Sequence, residues 1–418
     1  MAKPQPVRGT HDLLPDDFAA HAAVIDIARR TALAHGYRQM ATPIFEFTEI
    51  FARSMGETSD VVSKEMYTFQ DRGGDSITLR PEYTAAICRA YISNGMQQSA
   101  PLKAFAHGPM FRYERPQKGR LRQFHQIDVE VIGAPEPAAD VEVISVGAEI
   151  LSRLGVLDKT VLKLNTLGDP ESRKHYRGAL VEYFSGHRER LSDDSRDRLE
   201  RNPLRILDSK DEGDRAIVEG APLFGDYLNQ TSQDFFGEVL AGLDTLGIAY
   251  DLDVRLVRGL DYYTHTAFEF VTDALGAQGA VIAGGRYDGL IEQIGGPATP
   301  GIGWAGGIER LAMLSGATGD EPKPIALVPV GENAEAAALK IAQMLRREGF
   351  MVDLAFRGNL GKRMKRADRI GAACAVILGE DELARDAATV RDFSTGEQRE
   401  APLAGLAEAL AVYGGSRV

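Results

Sequence analysis

The sequence predicts an α+β protein: a mostly antiparallel sheet flanked by helices, interrupted by a helical insertion and followed by a separate α/β domain. Three observations predict it. From Met110 to Gly133 the chain reads as strand, short basic loop and strand. Residues 168–235 are dense in Arg, Asp, Glu and Ser, with helical runs and few apolar clusters. Beyond the linker SGATGDEPKP (315–324), strands and helices alternate. At 418 residues the chain exceeds one ordinary core. The expected domains are 1–322, with the insertion at about 168–235, and 323–418.

In chain order, Phe18, Ala22, Ile25, Ala28 and Ala32 form a helical apolar stripe over 18–35, which Gly36 ends. A strand through Tyr37–Met40 leads to Pro43, and a strand pair surrounds Gly73 and Gly74. Arg80–Ala85 opens a helix that runs to about Ser93. After the hairpin, Asp140–Leu154 reads as a helix and Val161–Leu164 as a strand. Sheet patterning resumes beyond the insertion at Asp253–Val257, Thr266–Thr272 and Ala280–Ile282, and a helix at Ile308–Leu314 follows. The last domain reads as strand 325–330, helix 334–347, strand 351–356, basic helix 360–371 and strand 374–379, then a strand pair and a helix. That alternation predicts a largely parallel sheet.

Period-2 alternation in the hairpin puts Arg112 and Glu114 on one face, and Gln126, Asp128 and Glu130 on one face of the return strand. Ile127, Val129 and Val131 take the opposite face. Fixed cations and carboxylates on an apolar-backed sheet suit a charged small molecule. The alternative is an exposed hairpin with a solvated face.

Apolar content of 44% and charge of 26% are ordinary for a soluble enzyme. Cys88 and Cys374 lie far apart without CxxC or Cys/His neighbours, which argues against a disulfide scaffold or a structural zinc site. None of the eight histidines shows ligand spacing, so no metal ligand is assigned. The absence of a signal core or a membrane-length apolar run predicts a cytoplasmic protein. A net charge of −12 argues against a nucleic-acid partner in bulk. The charge is uneven, however: from Lys323 onward 14 Lys and Arg stand against 13 Asp and Glu. Arg357, Lys362, Arg363, Lys365, Arg366 and Arg369 crowd one stretch of the tail. Salt screens distant charge, so such a patch can grip phosphates on an acidic protein. A solvated amphipathic helix is the plainer alternative.

Three further segments carry chemistry. In LVRGLDYYTHTAFEF (256–270), Arg258 ends an apolar run and Gly259 allows a sharp turn that presents Tyr262 and Tyr263. An arginine beside tyrosines suits developing negative charge next to a polar ligand, although a hairpin turn with a surface arginine would look the same. GGRYDGLIEQIGG (284–296) has glycines that admit close approach of a ligand. GIGWAGGIERLAML (301–314) is a glycine-rich approach to a helix carrying Glu309 and Arg310. Its GxGxxG does not follow a strand within a βαβ unit, so a dinucleotide site is rejected. No GxxxxGK[ST] occurs either, which leaves arginines on a sheet to hold any nucleotide.

FRYER, LVRGLDYY, GGRYDGL and GIERL, in this order, resemble the histidyl-tRNA synthetase family. FRYER with its basic loop is similar to the second motif of class II synthetases, and GIERL to the third. HGYRQMATPIFE (35–46), with Pro43, is similar to the first, which forms much of the family's dimer interface. RGTHDLLP and NPLRILDSKD (202–211) fit too, and the resemblance covers essentially the whole chain. It implies a class II catalytic domain at 1–322 and an anticodon-binding domain at 323–418. The implied substrates are ATP, L-histidine and histidine tRNA, with Mg²⁺ on the phosphates and a homodimeric, non-membrane protein.

The resemblance also implies roles. Arg112 would hold the ATP α-phosphate and act in catalysis, with Glu114 on the adenine or amino edge. Arg310, assisted by Arg120, would lie against adenine and reach the terminal phosphates. Glu82, Thr84 and Gln126 would bind the α-ammonium of histidine. Glu130 and Tyr263 would bracket the imidazole, with Tyr262 and Tyr287 beside it. Arg258 would be the catalytic arginine on the histidine carboxylate and α-phosphate. Arg115, Gln117 and Lys118 would touch the acceptor end of tRNA. Tyr83, Thr264, His265 and Asp128 depart from commoner family forms. The rival reading is the regulatory paralogue that binds ATP phosphoribosyltransferase; the tail domain and the intact Arg258 and tyrosines weigh against it.

Overall fold

In the computed structural model, the residues described are 3–56, 59, 61–117, 119–257, 262–275, 279–316 and 323–413. The chain divides into two compact units, Met1–Gly319 and Asp320–Val418.

The strands of the first unit are β1 (Arg38–Gln39), β2 (Phe45–Phe47), β3 (Tyr67–Gln70), β4 (Ser76–Leu79), β5 (Leu102–Phe111), β6 (Gln123–Ile132), β7 (Val161–Thr166), β8 (Asp251–Leu252), β9 (Thr264–Thr272), β10 (Gly279–Arg286) and β11 (Gly301–Gly307). Eight of them form one sheet in the order β1-β5-β6-β11-β10-β9-β7-β8. The six central strands pair antiparallel, while β1 and β8 join the edges in parallel. A small antiparallel sheet, β2-β4-β3, stands apart.

One face of the large sheet buries Ile127, Val129 and Val131 against helices Pro15–Ala34, Pro137–Arg153 and Ile308–Ser315. Trp304 is sealed in this core by its indole N–H, which donates to the Val143 carbonyl at 2.9 Å. The opposite face carries the polar residues of β6.

Several expectations need correction. The first helix buries His21, Val24, Ala28, Thr31 and Ala32 while Phe18 is exposed, so its buried stripe is rotated from the one read off the sequence. The first hairpin strand ends at Phe111, because the Tyr113 N–H turns away to the Glu65 carbonyl; Arg112 and Glu114 therefore lie just beyond the sheet. Asp253–Val257 is no strand: β8 is only Asp251–Leu252, and a turn closes from the Leu256 N–H to the Asp253 carbonyl. GIGWAGG is itself the strand β11.

The insertion has a small core of its own, built around Tyr176, Leu180, Phe184, Ile206 and Phe224. Its helix Pro170–Gly186 starts with Asp169 accepting from the Ser172 N–H at 2.8 Å. Helix Gln230–Thr245 sends Val239 and Leu243 into the main core instead, so it belongs to the scaffold.

The second unit contains β12 (Ile325–Pro329), β13 (Val352–Leu354), β14 (Cys374–Leu378), β15 (Ala387–Asp392) and β16 (Gln398–Pro402), in the order β13-β12-β14-β15-β16. The first three are parallel and the last two antiparallel, a more mixed sheet than alternation alone suggests. Period-2 packing is clear on β12: Ile325 and Leu327 meet helix Glu332–Arg347, while Ala326 and Val328 meet helix Leu360–Arg369. In that basic helix Arg363 is buried on the Pro329 carbonyl and Glu335, and Arg366 pairs with Asp353 at 2.7 Å. Those two cations brace the fold. Lys362, Lys365 and Arg369 remain exposed.

Candidate active site

The polar face of the sheet floors a cavity of about 290 Å³. Its wall holds Glu82, Thr84, Arg112, Glu114, Arg120, Gln126, Tyr262, Tyr263 and Arg310, gathered from five separate stretches of sequence. Glu130 and Tyr287 lie buried near it, tied to its wall through Thr84 and Tyr262. Arg115 and Gln117 are exposed on the loop, and Gln117 lines a neighbouring cavity of about 400 Å³ with His11 and His21. Arg258 and Lys118 lie outside the described residues.

The helix start at Thr84 is organised by Glu82, whose carboxylate accepts from the Thr84 N–H at 2.9 Å and the Ala85 N–H at 2.8 Å. Burial outweighs these bonds and leaves Glu82 above the usual carboxylate range. Thr84 Oγ1 donates to Glu130 Oε1 at 2.6 Å, and the Tyr287 hydroxyl donates to Glu130 Oε2. Burial pushes the Glu130 carboxyl up to about 8, so a proton is held there at neutral pH.

The glycines of β11 explain themselves at this point. A Cβ at Gly303 would strike the Glu130 carboxylate, and one at Gly301 would strike the Tyr287 ring. The GxGxxG spacing thus clears room for two buried site groups.

The cations are placed with equal definition. Arg112 donates from Nε to the Pro81 carbonyl at 2.9 Å and stacks over Phe124 at 5.2 Å. Its contact with Glu114 is long, 3.9 Å, and that of Arg120 with Glu114 is 3.7 Å. Arg310 lies between Gly119 and Gly279, where side chains would crowd it, and its Nε is buried without a partner. Burial and the nearby Arg120 pull its pKa down. The arrangement can receive an anion between Arg112, Arg120 and Arg310 and a cationic or hydrogen-bonding group beside the carboxylates.

Three features were not legible in motifs. Arg173, on the insertion, donates from Nη1 to the Tyr263 carbonyl at 2.6 Å across 90 residues, a contact with no local sequence signal. Arg286 of GGRYDG is fully buried on Asp140, with Nε to Oδ2 at 3.0 Å, which makes it a structural group beside Tyr287. Donor atoms of His21, His125 and Glu309 lie within 4.8 Å of one another although their spacing gives no sign of it. The Glu309 carboxylate is already closed on His125, with the main-chain N–H at 2.9 and 3.0 Å and Nδ1 at 2.8 Å.

The family model described as histidyl-tRNA synthetase matches residues 9–168 and 199–311, and that of the anticodon binding domain matches 325–412. The chain is 61% identical over 414 residues to a histidine–tRNA ligase of Rhodospirillum rubrum, covering 99% of this chain and 100% of that one. It is 57% identical over 415 residues to one of Gluconacetobacter diazotrophicus, with the same coverage. A solved apo histidyl-tRNA synthetase of S. aureus superposes with a TM-score of 0.83 at 37% identity, over 97% of this chain and 99% of that one. A Bacillus halodurans structure described as an ATP phosphoribosyltransferase regulatory subunit/histidyl-tRNA synthetase, at 21% identity and TM-score 0.66 over 90% of this chain and 99% of that one, shares the fold. Sheet, site and second domain together define an aminoacyl-tRNA synthetase of class II. The chain belongs to the histidyl-tRNA synthetase family.

Proposed function

We propose that the protein is a histidine–tRNA ligase that activates L-histidine with ATP and transfers it to the 3′ end of histidine tRNA in the cytoplasm. The observation that carries this reading is the shared cavity, in which Arg112, Arg120 and Arg310 face Glu82, Gln126 and Tyr263.

Arg112 holds the α-phosphate, Arg310 with Arg120 takes adenine and the terminal phosphates, and Arg258 sits where the histidine carboxylate meets the α-phosphate. Glu82, Thr84 and Gln126 surround the α-ammonium. Glu130 and Tyr263 each take one imidazole nitrogen, with Tyr262 and Tyr287 backing them; two fixed partners select an imidazole better than shape does. The histidine carboxylate attacks the α-phosphorus in line, pyrophosphate leaves, and the terminal ribose hydroxyl of tRNA then attacks the acyl carbon of the adenylate. The carboxylate is already ionised, so positioning and charge stabilisation carry the first step, with positioning contributing roughly 7–11 kcal/mol.

Mg²⁺ neutralises phosphate charge when bound and takes most of its ligands from the phosphates. Glu114, with only long contacts to the two arginines, is the wall carboxylate that fits it. Arg115, Gln117 and Lys118 approach the acceptor end, and Lys362, Lys365 and Arg369 the anticodon arm. A second copy of the chain covers the exposed Ile44, Phe45, Phe47 and Phe69 around the small sheet.

Aminoacylation of histidine tRNA transcripts, made with and without an extra guanosine before the first nucleotide, tests the activity. Charging of either transcript supports it. Absence of charging, together with tight binding to an ATP phosphoribosyltransferase, supports the regulatory paralogue instead.

A further inference from the structure

Helix Pro15–Ala34, strand β6 and helix Ile308–Ser315 each send one side chain to a common point. These are His21, His125 and Glu309, whose donor atoms all lie within 4.8 Å of one another. A trio held together for the fold alone would pair all three, and this one does not. Glu309 and His125 are bonded to each other. The His21 side chain makes no hydrogen bond or ion pair among the described residues and meets the His125 ring edge-on at 5.5 Å. His21 is only 8% exposed, and an imidazole withdrawn from bulk water without a partner carries an uncompensated desolvation cost.

The cavity of about 400 Å³ that His21 lines is suited to a cation. His11, Asp17 and Glu309 share its wall, and among the described residues no lysine or arginine does. Two imidazoles and a carboxylate are the donor set of zinc-type ions, whereas Mg²⁺ takes oxygen ligands. Ligands about 2.0–2.2 Å from such an ion stand roughly 3–3.5 Å from one another in a tetrahedron. His125 Nδ1 and Glu309 Oε1 are 2.8 Å apart, near that spacing, and the unbonded His21 ring closes the rest by side-chain rotation. The His125 main-chain N–H, at 2.9 and 3.0 Å from the two Glu309 oxygens, fixes the carboxylate and leaves lone pairs free for an ion.

We infer that His21, His125 and Glu309 form a site for a divalent transition-metal ion of the zinc type, with the fourth position filled by His11, Asp17 or water. The site does not rest on the histidine reading, and its nitrogen donors set it apart from Mg²⁺ on nucleotide phosphates. An ion seated there joins the first helix to β6 and to the helix that carries Arg310, the residue next to Glu309.

The test titrates tag-free, metal-stripped full-length protein with Co²⁺, in the absence of ATP and histidine, and follows the visible d–d bands that nitrogen ligation intensifies. Saturation at a single ion per chain is expected, with the bands lost on adding Zn²⁺ and unaffected by Mg²⁺. His21→Gln should weaken binding by about tenfold or more, while His175→Gln, at an exposed position of the insertion, should leave it unchanged. Absence of the bands in wild type, undiminished binding by His21→Gln, or equal losses in the two variants would overturn the inference. Should His21→Gln not fold, anomalous diffraction from Zn²⁺-soaked wild-type crystals decides. A peak among His21, His125 and Glu309 supports the site, and its absence there overturns it.

Discussion

Thr84 Oγ1 donates to Glu130 Oε1 at 2.6 Å, joining the first residue of a helix to the C-terminal part of β6 across 46 positions. This bond orients the carboxyl group that the Tyr287 hydroxyl also holds. It sets that group at a fixed place beside the cavity, which is what discrimination by hydrogen bonding requires.

The proton on Glu130 makes stability depend on pH. The carboxyl titrates near 4.3 in an unfolded chain and at about 8 in the folded protein, so the folded state binds the proton more tightly. Its contribution is complete below the unfolded value and is lost as pH rises through about 8. The slope reaches at most about 1.4 kcal/mol per pH unit. Urea unfolding between pH 5 and 9 should show stability falling with pH, and Glu130→Gln should make that fall shallower. An identical pH profile in the variant would contradict the assignment.

Asp140 and Arg286 are both fully buried and paired, and Arg286 also donates to the Ala134 carbonyl at 3.1 Å. Asp140→Ala removes the fully buried counter-ion of this guanidinium and leaves it only Asp288, whose Oδ1 accepts from Nη1 at 3.1 Å. A loss of about 3–5 kcal/mol is expected in denaturant unfolding. A loss below about 1 kcal/mol would show that the pair does not hold β10 and the helix Pro137–Arg153 together.

Arg173 reaches from the insertion to the Tyr263 main chain. Its removal should let the tyrosine segment shift and raise the KM for histidine several-fold in pyrophosphate exchange, with the KM for ATP changed less. Arg173→Lys, which keeps charge but not the fork, should restore only part of the loss. Equal effects on both substrates would point to general loosening rather than to a tether.

The hairpin was readable because alternation on β6 is strict, and the tail because its apolar runs and helices alternate. The end of the first hairpin strand was not readable: it depends on the Tyr113 N–H meeting the Glu65 carbonyl, 48 residues earlier in the chain. Arg363 and Arg366 looked like free cations of a basic helix, yet one is buried under β12 and the other paired with Asp353, partners that only tertiary contact supplies. The same holds within the site. Motif residues could be named from the family resemblance that their segments carry, whereas the lack of a hydrogen-bond partner at the buried Asp128 carboxylate depends on tertiary packing.

The central claim is that arginines and carboxylates converge to activate one amino acid. ATP–pyrophosphate exchange measured with each of the twenty amino acids, in wild type and Arg258→Ala, tests it most directly. Exchange should depend on histidine alone and fall by about a hundredfold or more in the variant. Exchange running equally well with threonine or proline, or unaffected by Arg258→Ala, would contradict it.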